Sequence, residues 1–179
     1  MSARESISPS ELTTKPFELL NSQWLLLACG DFEKKDFNMM TIAWGSMGTM
    51  WHMPFIMTVV RPQRHTLKFM EKYDNFTLSA FPEKYENTLT VLGTRSGMDM
   101  DKINSSGLTP TSSPHISSPS FEEAELVIEC EKIYTDIFKP ENIIPEGLNE
   151  KIYPAGDHHH IFFGKVLSIE KSPASVMPF

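Results

Sequence analysis

Cysteine is scarce. Cys29 and Cys130 are the only two in 179 residues, they lie far apart, and neither belongs to a CxxC unit, so a disulfide framework of the small secreted kind is excluded. A reducing cytoplasm is the expected compartment. Long hydrophobic runs are missing too. The longest, Trp24-Leu25-Leu26-Leu27-Ala28-Cys29, falls well short of the about 20 residues that cross a bilayer. Met1 to Lys15 lacks the basic start and apolar stretch of a signal peptide. Positive charge is outweighed, with 16 Lys and Arg against 23 Asp and Glu for a net charge of −7, which opposes broad adherence to nucleic acid or anionic membrane. No GxSxG elbow, GxGxxG turn, GxxxxGK loop or HExxH pair occurs, so a nucleophile-elbow hydrolase, a Rossmann dinucleotide domain, a triphosphate loop and a zincin helix all lack their signature. Apolar residues make up 40% and aromatic residues 11%, enough for a globular core, and the length suits one domain over 1–179.

Gln23 to Cys29 is continuously apolar and bounded by Asn21-Ser22 and Gly30-Asp31, the pattern of a strand buried on both faces. Asn38 to Trp44 reads as extended, with Gly45-Ser46 and Gly48 supplying a turn. Phe55 to Val60, between Pro54 and Pro62, is a third strand. Leu67, Met70 and Tyr73 then change the period to that of a short helix ending at Lys72, with Thr66 as N-cap. Phe76 to Phe81 returns to strand. Pro82 to Leu92 reads as a second helix with Gly93 as left-handed terminator, and Met100 to Asn104 as a third, capped by Asp99. Ser105 to Ser120 is rich in Ser, Thr and Pro and reads as an exposed loop. Ala124 to Phe138 and His158 to Glu170 are long strands, with an irregular stretch from Pro140 to Pro154 between them. Roughly six or seven strands with short helices inserted after the third imply an α+β, mainly β chain, a small antiparallel barrel with helices over an opening.

Chemistry concentrates between Asn38 and Lys102. Arg61, Arg64, His65 and Lys68 gather positive charge within an acidic chain, and arginine forks with a helix-starting Thr66 match the oxygens of a phosphate. A solvated helix face fits the same charges. Asn38 to Gly45 places apolar bulk beside amide and hydroxyl groups, suited to the face of a planar heterocycle; a core strand with Trp44 packed inside fits equally. Gly93 to Lys102 can cradle an anion or simply connect two elements. His158-His159-His160 invites a metal, but adjacent strand residues face opposite ways and no zinc-spaced Cys pair accompanies them, so one histidine turned inward with its neighbours in solvent accounts for them without a metal. Cys29 in an apolar strand, and Cys130 between Glu129 and Glu131, are expected to be unreactive thiols.

A set of motifs in common order resembles the flavin reductase-like proteins, the FMN-binding split barrels that include the flavoredoxins. They are NMMTIAWG at Asn38 to Gly45, VRPQRHT at Val60 to Thr66, FTLSAFP at Phe76 to Pro82, LGTRSGMDMDK at Leu92 to Lys102, GLTP at Gly107 to Pro110, EAELVIEC at Glu123 to Cys130 and HIFFGKV at His160 to Val166. The resemblance implies an antiparallel split β-barrel with short capping helices and a homodimer with non-covalent FMN near the subunit interface. It implies that Asn38, Met40, Thr41, Ala43, Trp44 and Gly45 run along the isoalloxazine, that Arg61, Arg64 and Thr66 approach the phosphate, and that Ser96, Gly97 and Lys102 complete the anion site. Phe81 is implied as a ring neighbour, and His158 or His159 as the histidine near the flavin or an incoming nicotinamide. Met98 departs from the family, which often has arginine there. Electrons are then expected to pass from NADH or NADPH, as a transient co-substrate, through FMN to a flavin or other small acceptor. A carrier fed by a redox protein, without nicotinamide activity, and a flavin-free His-rich metal module are the competing expectations. No nucleic acid or membrane partner is implied.

Overall fold

A computed structural model describes residues 4–95 and 102–173. Its strands are β1 (Glu5–Ile7), β2 (Leu25–Asp31), β3 (Asp36–Ile42), β4 (Gly45–Met50), β5 (Met53–Val60), β6 (Asn75–Ala80), β7 (Pro110–Thr111), β8 (Ser120–Phe121), β9 (Leu126–Ile137) and β10 (His160–Lys171). Helices α1 (Pro16–Glu18, continued by a π turn over Leu19–Gln23), α2 (Thr66–Lys72), α3 (Glu86–Thr94), α4 (Lys102–Ser106) and α5 (Leu148–Ile152) are all short. The main sheet runs β3-β2-β6-β9-β10-β5-β4, with β1 added on β10 and every pairing antiparallel. Its two ends, β3 and β4, are not paired to each other. This is the expected split barrel. No helix of the described residues is long and apolar enough to cross a membrane.

The apolar run of β2 is sheathed on both sides, as its composition requires. Leu25, Leu27 and Cys29 enter one core with Met40, Phe76, Leu78, Ile128, Cys130 and Phe162. Leu26 and Ala28 enter a second with Met39, Phe81, Leu89, Leu92, Phe121 and Val127, beneath α3. Alternation along the strand produces this division, and each fully buried leucine contributes about 1.5–3 kcal/mol.

Several boundaries differ from the sequence reading. Gly45-Ser46 and Gly48 form a strand and make no turn; the chain reverses at Trp51-His52, both with positive φ (51° and 59°). Glycine serves here for close approach, since a Cβ on Gly45 would stand 2.5 Å from the Met57 carbonyl oxygen. The edge strand β4 and the N-terminal β1 therefore add to the count, and the helical insertion begins with α2 after the fifth strand. His65 occupies the α2 cap without a side-chain hydrogen bond, and the Thr66 hydroxyl instead accepts from Asn38 Nδ2 at 2.9 Å. Pro82 precedes a 3-10 turn over Glu83–Tyr85, and Gly93 lies inside α3. A Cβ on Gly93 would reach within 3.2 Å of Thr41 Cβ, so its small size lets helix and sheet meet. Gly107, at φ 68°, takes the left-handed role just after α4; Asp99 and Met100 fall outside the described residues. The 105–120 stretch is partly buried: Gly30 N–H donates to Ser118 Oγ, Thr77 Oγ1 to the Pro119 carbonyl and Ser118 N–H to Asn75 Oδ1. Its hydroxyls close the backbone at the ends of β2 and β6 where water was expected. The 140–154 stretch holds α5 and a 3-10 turn at Pro140–Asn142.

Candidate functional site

β3 is the floor of the site, and the groups around it come from four other segments. At one end, Asn38 is buried and bonded to Thr66 at the start of α2. Next to it, Lys102 of α4 reaches in to donate from Nζ to the carbonyls of Met39 (2.9 Å) and Leu92 (3.0 Å). An ammonium has three protons to donate, and two of them are taken up among the described residues. Lys102 is only 5% exposed, and burial together with the neighbouring charge of Arg64 lowers its pKa to about 8.

Arg64 sits in the turn between β5 and α2. Burial holds its guanidinium below the ordinary range, and its Nη2 is sealed from solvent without a hydrogen-bond partner. Among the described residues no carboxylate neutralises either cation. A buried and a partly buried positive charge that repel each other, one with an orphan donor, are costly among these neighbours. An anion placed beside them would offset the repulsion and give the orphan donor an acceptor.

The other end of the floor is aromatic. Trp44, just before β4, is 51% exposed, and its ring centroid lies 5.0 Å from that of His159. Backbone in extended form rises about 3.3 Å per residue, so the five steps from Met39 to Trp44 span at most roughly 16 Å. Between them Thr41 donates to the Leu89 carbonyl at 2.5 Å, and Met40 turns into the main core. Ala43, Trp44 and Gly45 border a cleft of about 550 Å³ whose far wall includes Phe17, Leu20 and Asn21.

His158 and His159 lie in the loop before β10, not on the strand. His159 is 7% exposed, with Nδ1 2.9 Å from the Tyr153 hydroxyl. Burial first, and Arg61 second, lower its pKa to about 4 against a smaller opposing effect of Asp157. His158 bonds Asn149 Oδ1 and the Gly156 carbonyl, and the His160 ring approaches Glu71 at 3.7 Å. The three rings thus go to different partners. No group of three or more metal-capable side chains forms among the described residues.

Two further residues have surroundings the sequence did not disclose. Arg61 donates to Asp157 Oδ2 (2.7 Å) and to the Ile152 carbonyl (2.9 Å), with its guanidinium carbon 5.4 Å from the centre of the Tyr153 ring. Its charge is satisfied by the β9–β10 connection, unlike that of Arg64. Phe81 is packed inside the second core between Tyr85 and Phe121. Ser96, Gly97 and Met98 lie outside the described residues. Nothing in the sequence pattern marks Tyr153 or Asp157 as a site residue; both acquire their partners only through the fold.

The flavin reductase like domain model matches residues 20–177. The chain belongs to that family. This flavin reductase-like protein is 29% identical over 118 residues to an uncharacterized protein of Pyrococcus abyssi, a match covering 64% of this chain and 56% of the relative, so it spans little more than half of that protein's length. In fold it is similar to an FMN-binding domain of a flavin reductases-like enzyme from Shewanella baltica (TM-score 0.67, 17% identity, covering 96% of this chain and 78% of the other). It is also similar to the flavoredoxin of Desulfovibrio vulgaris (TM-score 0.65, 20% identity, 93% and 76%).

Proposed function

We propose that the protein binds FMN non-covalently and passes electrons from NADH or NADPH through it to a flavin or another small acceptor, working as a homodimer. The observation that carries this reading is the pair Arg64 and Lys102 at one end of β3, which no carboxylate of the described residues compensates. A phosphate is the anion that fits: it presents several acceptor oxygens to the orphan Nη2 and the third Lys102 proton, and its charge removes the repulsion between them. The stretch of up to roughly 16 Å from Met39 to Trp44 suits a ligand with a phosphate at one end and a flat ring system at the other. The half-exposed Trp44 and the buried His159 would border the ring.

When bound, FMN would supply a ring that takes a hydride from a nicotinamide and returns electrons to an acceptor. The protein's own part is placement. Arg64, Lys102 and Thr66 would hold the phosphate, Thr41 keeps α3 against the floor, and the apolar wall near Ala43 and Trp44 would exclude water from one side of the ring. His159, with its lowered pKa, is uncharged at neutral pH and so does not compete with the cations for the anion. No acid–base side chain is required for hydride passage.

The visible spectrum of the purified protein, before and after FMN addition, tests the binding; a colourless product after addition discards it. Anaerobic mixing of the loaded protein with NADH and with NADPH tests the donor. The second reading, a carrier fed by a redox protein, draws support from the net charge of −7, which favours a basic partner surface. It gains if neither nucleotide bleaches the flavin band.

A further inference from the structure

Tyr153 closes α5 and is clamped from both sides. Arg61 lies over its ring at 5.4 Å, and the His158 ring is 4.5 Å away at an interplanar angle of 36°. Its backbone N–H bonds back to the Asn149 carbonyl at 2.8 Å, and Arg61 ties down the neighbouring Ile152 carbonyl and Asp157. The phenol has little freedom, and its hydroxyl meets His159 Nδ1 at 2.9 Å in a buried contact.

One proton is shared at that contact, and its donor decides the tautomer of His159. Burial raises the phenol pKa above its ordinary value, against opposing effects of a hydrogen bond from the His159 backbone and then of the Arg61 charge near its face. A cation at an aromatic face draws electron density from the oxygen, so the hydroxyl is the better donor and imidazole Nδ1 the acceptor. The imidazole proton then resides on Nε2. Among the described residues Nε2 has no hydrogen-bond partner, and the ring carrying it stands beside Trp44, at the end of the floor remote from the cation pair.

We infer that Tyr153, braced by Arg61, is a positioning residue that fixes the proton of His159 on Nε2 and so presents one oriented N–H donor to the edge of the bound flavin ring. This rests on the FMN reading above. Reduced flavin carries more negative charge at the pyrimidine edge of its ring than oxidised flavin, so a donor oriented to that edge favours the reduced form, as fixed dipoles favour any developing anion. Arg61 thereby acts on the ring end of the site through Tyr153, and not on the phosphate.

Two measurements decide it. Nitrogen NMR of the His159 imidazole in the wild-type protein, without FMN, reads the tautomer directly: protonated Nε2 is expected, and protonated Nδ1 overturns the assignment. Dissociation constants of oxidised and reduced FMN are then compared for wild type and Tyr153→Phe, which keeps the ring under Arg61 and removes only the hydroxyl. The expected result is unchanged affinity for oxidised FMN, within about twofold, and about a tenfold loss of the preference for reduced FMN, the effect of one hydrogen bond to a charged acceptor. Equal weakening of both forms, or no change in either, overturns the positioning role. If the wild type binds no FMN at all, the flavin reading fails, while the tautomer measurement still decides whether Tyr153 orients His159.

Discussion

Arg61 Nη1 lies 2.7 Å from Asp157 Oδ2, an ion pair that joins the end of β5 to the β9–β10 connection. Arg64, three residues on, has no such partner among the described residues, and its Nη2 is buried and unpaired. Two arginines that look alike in the sequence therefore predict different losses. Arg64→Met is expected to weaken FMN about ten- to hundredfold, the range of a charge-assisted contact, while riboflavin, which has no phosphate, binds as before. Arg61→Ala is expected to weaken FMN and riboflavin alike, because it releases the connection carrying Tyr153 and His159. Calorimetric titration of each variant with both ligands checks the contrast.

Lys102 predicts a pH dependence. Its free-state pKa of about 8 lies below that of an unburied lysine, because burial and Arg64 disfavour its charge. Above about pH 8 the free protein has lost this proton and must regain it to hold a phosphate. FMN affinity is therefore expected to fall as pH rises beyond about 8, and riboflavin affinity to stay flat across the same range. Parallel titrations between pH 7 and 9.5 read the difference.

His159 predicts acid lability. Its pKa falls from 6.5 unfolded to about 4 folded, so between these values the unfolded chain binds more protons than the native one. Stability is thus expected to drop as pH falls from about 6.5 toward about 4. Urea unfolding at pH 7 and pH 5 should show a larger decline for wild type than for His159→Gln, which cannot take up that proton.

Gly164 predicts a packing limit. A Cβ there would lie 2.5 Å from Phe76 Cζ and 2.7 Å from Cys130 Cβ, and the β9–β10 register slips between Phe163 and Gly164. Phe76 is fully buried and has no room to yield. Gly164→Ala is expected to destabilise by about 1–3 kcal/mol, the usual effect of overfilling a tight core, measured as a lowered urea midpoint with an unchanged slope.

The strands at Leu25, Phe55, Asn75, Leu126 and His160 and the helix at Thr66 are legible in the residue order alone, because apolar runs and their periods are local and Pro or Gly marks their ends. The same order marks the family, through motifs spread from Asn38 to Val166, and the region where positive charge gathers. Glycine misled at Gly45 and Gly93, where its smallness serves close packing with Met57 and Thr41 and not a turn. Only the tertiary structure decided which cation stays unpaired: Asp157 reaches Arg61 from 96 positions along the chain, whereas no carboxylate of the described residues reaches Arg64. It alone brought Tyr153 to His159, and Lys102 under the carbonyls of Met39 and Leu92. Charge compensation depends on distance in space, and the sheet order that sets those distances comes from pairings between residues remote in sequence.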